Sequence, residues 1–142
     1  MIHYTHYEKK SDPYVSEGGL AAFLHRHLEQ YGDKPEDIQR AIDYVFAAGG
    51  HIAVQYYEGQ PSGAVVVNYT QMGGYIPENI LVYIAVRGDL RGKGLGKKLM
   101  KAVLDEIQGD VALHVEANNP ARRLYESLGF TNPYLEMRLK RN

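Results

Sequence analysis

The residues with the clearest chemical purpose lie in one run, Arg91-Gly92-Lys93-Gly94-Leu95-Gly96-Lys97. Three glycines at alternate positions are interleaved with cations. An apolar run, residues 81–86, ends just before them, and a helical pattern starts just after. A strand that passes through a glycine-rich turn into a helix makes an anion site. The first helical N–H groups have no intrahelical partner, and the helix dipole adds roughly half a positive charge there. Glycine lets that backbone approach an anion with no Cβ in the way. The chemistry this predicts is retention of a phosphorylated ligand.

Three phosphate motifs compete for the run. A Walker loop needs glycine where Arg91 stands and a hydroxyl where Lys98 stands, so it fails twice. A Rossmann fingerprint needs G-x-G-x-x-G, but Lys97 occupies the last glycine position, and the chain opens with helices and a hairpin rather than parallel βαβ units. The third is Arg/Gln-x-x-Gly-x-Gly/Ala between a central strand and a helix. Arg91, Gly94 and Gly96 fit it at every fixed position.

The elements that must position this loop follow from periodicity. Residues 2–7 alternate weakly and predict a first strand. Residues 8–19 are polar, with Pro13 and Gly18-Gly19, and predict a loop. Leu20, Phe23, Leu24, Leu28 and Tyr31 recur at helical spacing, so a helix is expected over 16–31, stopped by Gly32. Asp33 and Glu36 predict an N-cap with a reciprocal partner, and Ile38, Ile42, Val45 and Phe46 mark the second helix. Residues 51–58 and 63–70 predict an antiparallel hairpin. Residues 81–86 are apolar on both parities, as in a strand covered on both faces. Leu95, Leu99, Val103 and Ile107 give the helix after the loop an apolar side. A further strand over 111–115, a last helix over 120–128 and one or two short closing strands over 134–139 complete an α+β chain with a mixed sheet, read as a single domain over 1–142.

A second segment sharpens the first. Asn118-Asn119-Pro120-Ala121-Arg122-Arg123-Leu124-Tyr125, followed by Gly129-Phe130, has the form Asn-x-x-Ala-x-x-Leu-Tyr then Gly-Phe. With the glycine loop, and in this order, it resembles the GNAT superfamily of N-acetyltransferases, which binds acetyl-coenzyme A. The resemblance is close over residues 79–130; earlier residues match only in their order of elements. It implies a mixed, mostly antiparallel sheet flanked by about four helices. It further implies that Ile84, Ala85 and Val86 pair their backbone with the pantetheine arm and hold the acetyl carbonyl. Backbone N–H groups of Arg91, Gly92, Lys93, Gly94, Leu95, Gly96 and Lys97 would cradle the pyrophosphate, Asn118 would bond the cofactor arm, and Tyr125 would sit near the sulfur.

Acetyl transfer to an amine needs three services. The amine must be neutral, the carbonyl oxygen must be stabilised as it becomes an oxyanion, and the leaving thiolate must receive a proton. A backbone N–H, Val86 by resemblance, can serve the oxyanion. The phenol of Tyr125 suits the leaving sulfur, and Ala121 and Tyr125 share one helix face. For the base, the strand over 81–86 offers no carboxylate; Glu78, His114 and Glu116 are the candidates, and Glu116 is carried forward with Tyr125. With no cysteine, no enzyme thioester can form, so direct attack of the amine is expected.

Composition bounds the alternatives. A net charge of −1 gives no general pull toward nucleic acid or anionic membrane, and no apolar run approaches a membrane span. The lack of cysteine fits a cytoplasmic protein. Six scattered histidines have no metal-ligand spacing, so no metal is expected, and His25 and His27 are read as rim residues. The predicted partner is a small-molecule or peptide amine. Tyr56, Tyr57, Tyr69 and Tyr75 could line its cleft, and the sequence around Tyr69 and Tyr75 is not acidic enough to favour a polycation. The resemblance leaves the oligomeric state open and allows a homodimer, through an exposed edge or the C-terminal strand. The competing class is a non-catalytic acyl-coenzyme A sensor on the same fold.

Overall fold

The computed structural model describes residues 1–141. Strands β1 (Ile2–Tyr7), β2 (Gly50–Tyr57), β3 (Gln60–Tyr69), β4 (Asn79–Val86) and β5 (Val111–Leu113) form one sheet in sequence order. The first three pairings are antiparallel, and β4 pairs β5 in parallel. Helices α1 (Pro13–Ser16), α2 (Gly19–Leu28) and α3 (Pro35–Ala47) precede β2; α4 (Leu95–Leu104) and α5 (Arg122–Ser127) flank β5 in the chain. The α+β class and the mostly antiparallel mixed sheet agree with the expectation.

Period-two alternation sorts the central strands into two cores. Ile52, Val54, Ala64 and Val66 pack with Leu20, Leu24, Ile38 and Ile42 of α2 and α3. Ala53, Val65 and Val67 pack on the other face with Leu99, Met100 and Val103 of α4 and with Tyr125 of α5. Each buried aliphatic contributes about 1.5–3 kcal/mol. β2 and β3 are therefore a rigid partition, and β4 is the last strand fully supported by it.

Several local expectations are corrected. The helix expected over 16–31 is broken, because Gly18 adopts a left-handed conformation (φ 98°) between α1 and α2. The polar stretch before it contains α1, since Asp12 Oδ1 accepts from the Val15 amide at 3.1 Å and caps that turn. Asp33 does not cap α3; Lys34 holds that position with no side-chain bond. The last strand is short because the chain leaves β4 after Leu113. Residues 134–139 form no strand: Leu135, Met137 and Leu139 alternate as in a strand, yet they are exposed and pair with neither edge of the sheet.

β4 carries the feature that opens the site. Val66 pairs with Tyr83 and Val67 with Leu81, so Val82 is an extra residue, a β-bulge. A bulge bends its strand and increases twist. The parallel pairing with β5 ends at the same level, after Asn79↔Val111, Ile80↔Ala112 and Leu81↔Leu113. Beyond it β4 runs on to Val86 without β5, which leaves a wedge between the two strands.

Candidate active site

The open edge of β4 forms one wall of the wedge. The Arg87 amide donates to the Ser62 carbonyl at 2.8 Å, toward β3. Backbone direction alternates along a strand, so the amides of Ile84 and Val86 face the wedge and that of Ala85 faces β3.

At the end of β4 the chain makes a single 3-10 turn, Gly88–Leu90, closed by the Leu90 amide on the Arg87 carbonyl and anchored by buried Leu90. Gly92 (φ 84°) and Gly94 (φ 77°) then take left-handed conformations, and Gly94 caps α4. No atom lies within 4 Å of a Cβ built on either, so dihedral angle rather than space requires glycine there. The first helical bond runs from the Lys98 amide to the Gly94 carbonyl at 3.2 Å. The amides of Arg91, Gly92, Lys93, Gly94, Leu95, Gly96 and Lys97 donate to no other group among the described residues. They form a row of unsatisfied donors at the positive end of a ten-residue helix.

The helix start is held rigidly. Gln55, fully buried on β2, donates to the Leu95 carbonyl at 3.1 Å and accepts from Ser62 at 2.9 Å. On the other side of the sheet α2 braces the loop. The Gly88 amide donates to His27 Nδ1 at 3.2 Å, and Arg91 donates to the His27 carbonyl and to Glu29 Oε1 (3.3 Å). His27 must therefore carry its proton on Nε2. Burial, then the cations Arg26, Arg91 and Arg87, hold its pKa below the usual histidine value. His27 is thus part of the loop's support rather than a rim residue.

The second wall comes from the chain after β5. The Asn119 side chain accepts from the Ala121 amide at 2.9 Å and sets the turn into α5. Asn118 is exposed, and its carbonyl accepts from Tyr31 at 3.5 Å. Tyr125 is 7% exposed, lies edge-on to Phe130 at 6.0 Å, and its hydroxyl bonds to no other described residue. Burial first, and the Glu116 carboxylate second, push the Tyr125 phenol up to about 12. Glu116 is exposed. Of the remaining base candidates, Glu78 is not in the wedge, since it accepts from the Asp110 amide at the far end of β4, and His114 lies 4.0 Å from Glu136 of the C-terminal segment. Nor do the tyrosines gather there. Tyr56 stacks on His3 at 5.1 Å, Tyr75 is 81% exposed, and Tyr69 lines a different cavity.

Two residues at the wedge were not legible as site residues. Tyr83, next to the bulge, donates to Asp33 Oδ2 at 2.5 Å. Burial and the Asp33 carboxylate raise its pKa. The α2–α3 connection thus contributes the Asp33 carboxylate and the Tyr31 phenol, and β4 contributes the Tyr83 phenol.

The sheet is wedged open beside a helix-terminal row of free amides, a framework suited to an extended ligand with an anionic group. Residues 48–132 match the acetyltransferase (GNAT) domain, and the chain belongs to that family. No curated protein sequence matches the chain. Among solved structures it is similar to the ribosomal-protein-S18-alanine N-acetyltransferase of Escherichia coli, with TM-score 0.72 and 19% identity over 94% of this chain and 80% of that one. It is similar also to a ribosomal-protein-alanine N-acetyltransferase of Brucella melitensis biovar Abortus 2308, with TM-score 0.68 and 17% identity over 99% of each chain. An aminoglycoside N-acetyltransferase in complex with CoA aligns with TM-score 0.70 and 14% identity over 99% of this chain and 95% of that one. At these identities the likeness is one of fold.

Proposed function

We propose that this protein transfers acetyl from acetyl-coenzyme A to a primary amine, of a small molecule or a peptide, by direct attack within a ternary complex. The observation that carries this is the run of seven unpartnered amides from Arg91 to Lys97, continuous with the open edge of β4. The amides of the loop suit a pyrophosphate, and the edge at Ile84, Ala85 and Val86 suits the amide-bearing pantetheine arm, with Asn118 opposite. Lys93 and Lys97 add positive charge at the loop's exposed face.

In this mechanism the Ile84 or Val86 amide donates to the acetyl oxygen as it gains negative charge. The amine nitrogen bonds to the carbonyl carbon and the carbon–sulfur bond breaks. The Tyr125 hydroxyl gives its proton to the departing sulfur, and the proton that the nitrogen sheds on becoming an amide returns through water to the Tyr125 phenolate. The phenol's raised pKa keeps it protonated through the neutral range, as an acid must be. Glu116, directly or through water, takes the proton that the ammonium must lose. Asp33 faces the incoming amine from the other side. The chain acts in the cytoplasm and pairs as a homodimer through the unpaired segment around Leu135–Leu139.

A panel of amines assayed by thiol release tests this. Turnover of at least one amine, slowed in Tyr125→Phe with cofactor affinity intact, is expected. Cofactor binding with no turnover of any amine would favour the sensor function; it is kept in view by the absence of any carboxylate on β4.

A further inference from the structure

At the end of β4 remote from the glycine loop there is a cavity of about 400 Å³, lined among others by Glu8, Tyr69, Glu78, Asn79, Glu106 and Gln108. Asn79 to Val86 is seven residue steps, roughly 23 Å along a strand. The cavity is therefore separate from the wedge. No lysine or arginine pairs with Glu8, Glu78 or Glu106 among the described residues. Asn79 is 1% exposed; its amide nitrogen donates to the Gln108 and Asp110 carbonyls, but Oδ1 has no partner.

Behind two of these carboxylates stands a histidine pair. His6 Nδ1 and His51 Nε2 are 2.8 Å apart. His51 Nδ1 lies 3.7 Å from Glu8 Oε2, and His6 Nε2 lies 4.0 Å from Glu106 Oε1. His51 is 3% exposed and its Nδ1 has no hydrogen-bond partner. Each neutral imidazole carries one N–H. Two protons thus serve three junctions, Glu8–His51, His51–His6 and His6–Glu106. One of them is spent between the rings, so one ring nitrogen always faces a carboxylate without a proton. That end, and the orphan oxygen of Asn79, call for a donor.

We propose that this cavity binds an extended organic cation with two or more ammonium groups, such as a linear diamine, at a site distinct from the acetyl-transfer wedge. Glu8, Glu78 and Glu106 supply the counter-charge; Asn79 Oδ1 and the unprotonated imidazole nitrogen supply neutral acceptors. A metal ion fits less well, because among the described residues no three His, Asp or Glu side chains converge closely enough to hold one. An extended cation can instead reach carboxylates that are spread around the walls. The titratable groups against the histidine pair are Glu8, Glu106 and Tyr4, and Tyr69 lies against Glu8. A third proton on the pair would satisfy every junction and place a positive charge between Glu8 and Glu106. It would therefore compete with the ligand, and affinity falls as pH drops.

The probe is 1,4-diaminobutane, with n-butylamine and magnesium chloride as comparisons, titrated into the intact protein by calorimetry and by imidazole nitrogen NMR. The diamine should bind roughly tenfold more tightly than butylamine, more tightly than magnesium, and more weakly at pH 5.5 than at pH 8. The His6 and His51 ring signals should move on binding. Glu8→Gln with Glu106→Gln should weaken binding by roughly tenfold or more. Both side chains are half exposed, so the fold should tolerate the change. Tyr125→Phe should leave diamine binding unchanged, which separates this site from the wedge. Absence of diamine binding at about 10 mM, equal binding by the Glu8/Glu106 double variant, or loss of binding in Tyr125→Phe would overturn the proposal.

Discussion

Helices α3 and α4 lie on opposite faces of the same sheet and pack in the same way. α3 buries Ile38, Ile42 and Val45; α4 buries Leu95, Leu99, Met100 and Val103. Their first turns differ. α3 enters from Lys34 in an extended conformation, Pro35 removes one amide, and the Asp37 and Ile38 amides both close on the Lys34 carbonyl at 3.0 Å. α4 enters through left-handed Gly92 and Gly94, and seven amides in a row stay open. Packing is satisfied in both, so it does not explain the open start. An open helix start on an otherwise well-satisfied fold marks where a ligand completes the hydrogen bonding.

The comparison breaks most visibly if the left-handed turn is removed. Gly92→Val with Gly94→Val adds about 1–2 kcal/mol of backbone strain per position and turns the amides away. Acetyl-coenzyme A affinity should fall on the order of 1,000-fold by calorimetry, whereas Pro35→Ala at the closed start should leave it within about twofold. Next in size is Tyr125→Phe, which should lower kcat about 100-fold with cofactor affinity unchanged in single-turnover and binding assays. The Tyr125 phenol also predicts an alkaline limb of stability. Its folded pKa lies near 12 against an unfolded value near 10, so the folded state holds the proton more tightly. The corresponding stability, about 2–3 kcal/mol, is fully present below pH 10 and disappears as pH rises through 12. Urea denaturation of wild type and Tyr125→Phe between pH 9 and 12 checks this; only the wild type should show the Tyr125 contribution. The smallest effect belongs to the opposite face. Asp33→Asn should raise KM for the amine about fivefold and leave acetyl-coenzyme A binding unchanged.

Much of the open side was legible because its signals are local. The glycine loop, α4 and the turn into α5 each lie within a few consecutive residues, and their dihedral requirements select residue types directly. The other face was legible as helices but not as a site. Asp33 read as an N-cap, since serving α3 and accepting from Tyr83 ask for the same residue; only the 50-residue separation closed by the fold decides. The Val82 bulge left no mark, because valine suits a regular strand equally well. The surroundings of Tyr69 looked neutral along the chain, yet Glu8, Glu78 and Glu106 converge there from three separate elements. Leu135, Met137 and Leu139 had a strand pattern, but β5 is too short to recruit them. In each of these cases long-range pairing, not local propensity, settled the outcome.

The most direct measurement of the central claim is calorimetric titration of acetyl-coenzyme A into the wild-type protein and the Gly92→Val/Gly94→Val variant. Saturable one-to-one binding by the wild type with a Kd of about 1–100 μM, lost in the variant, is the predicted result. No heat of binding to the wild type at several hundred micromolar (on the order of −5 kcal/mol or weaker) would contradict it.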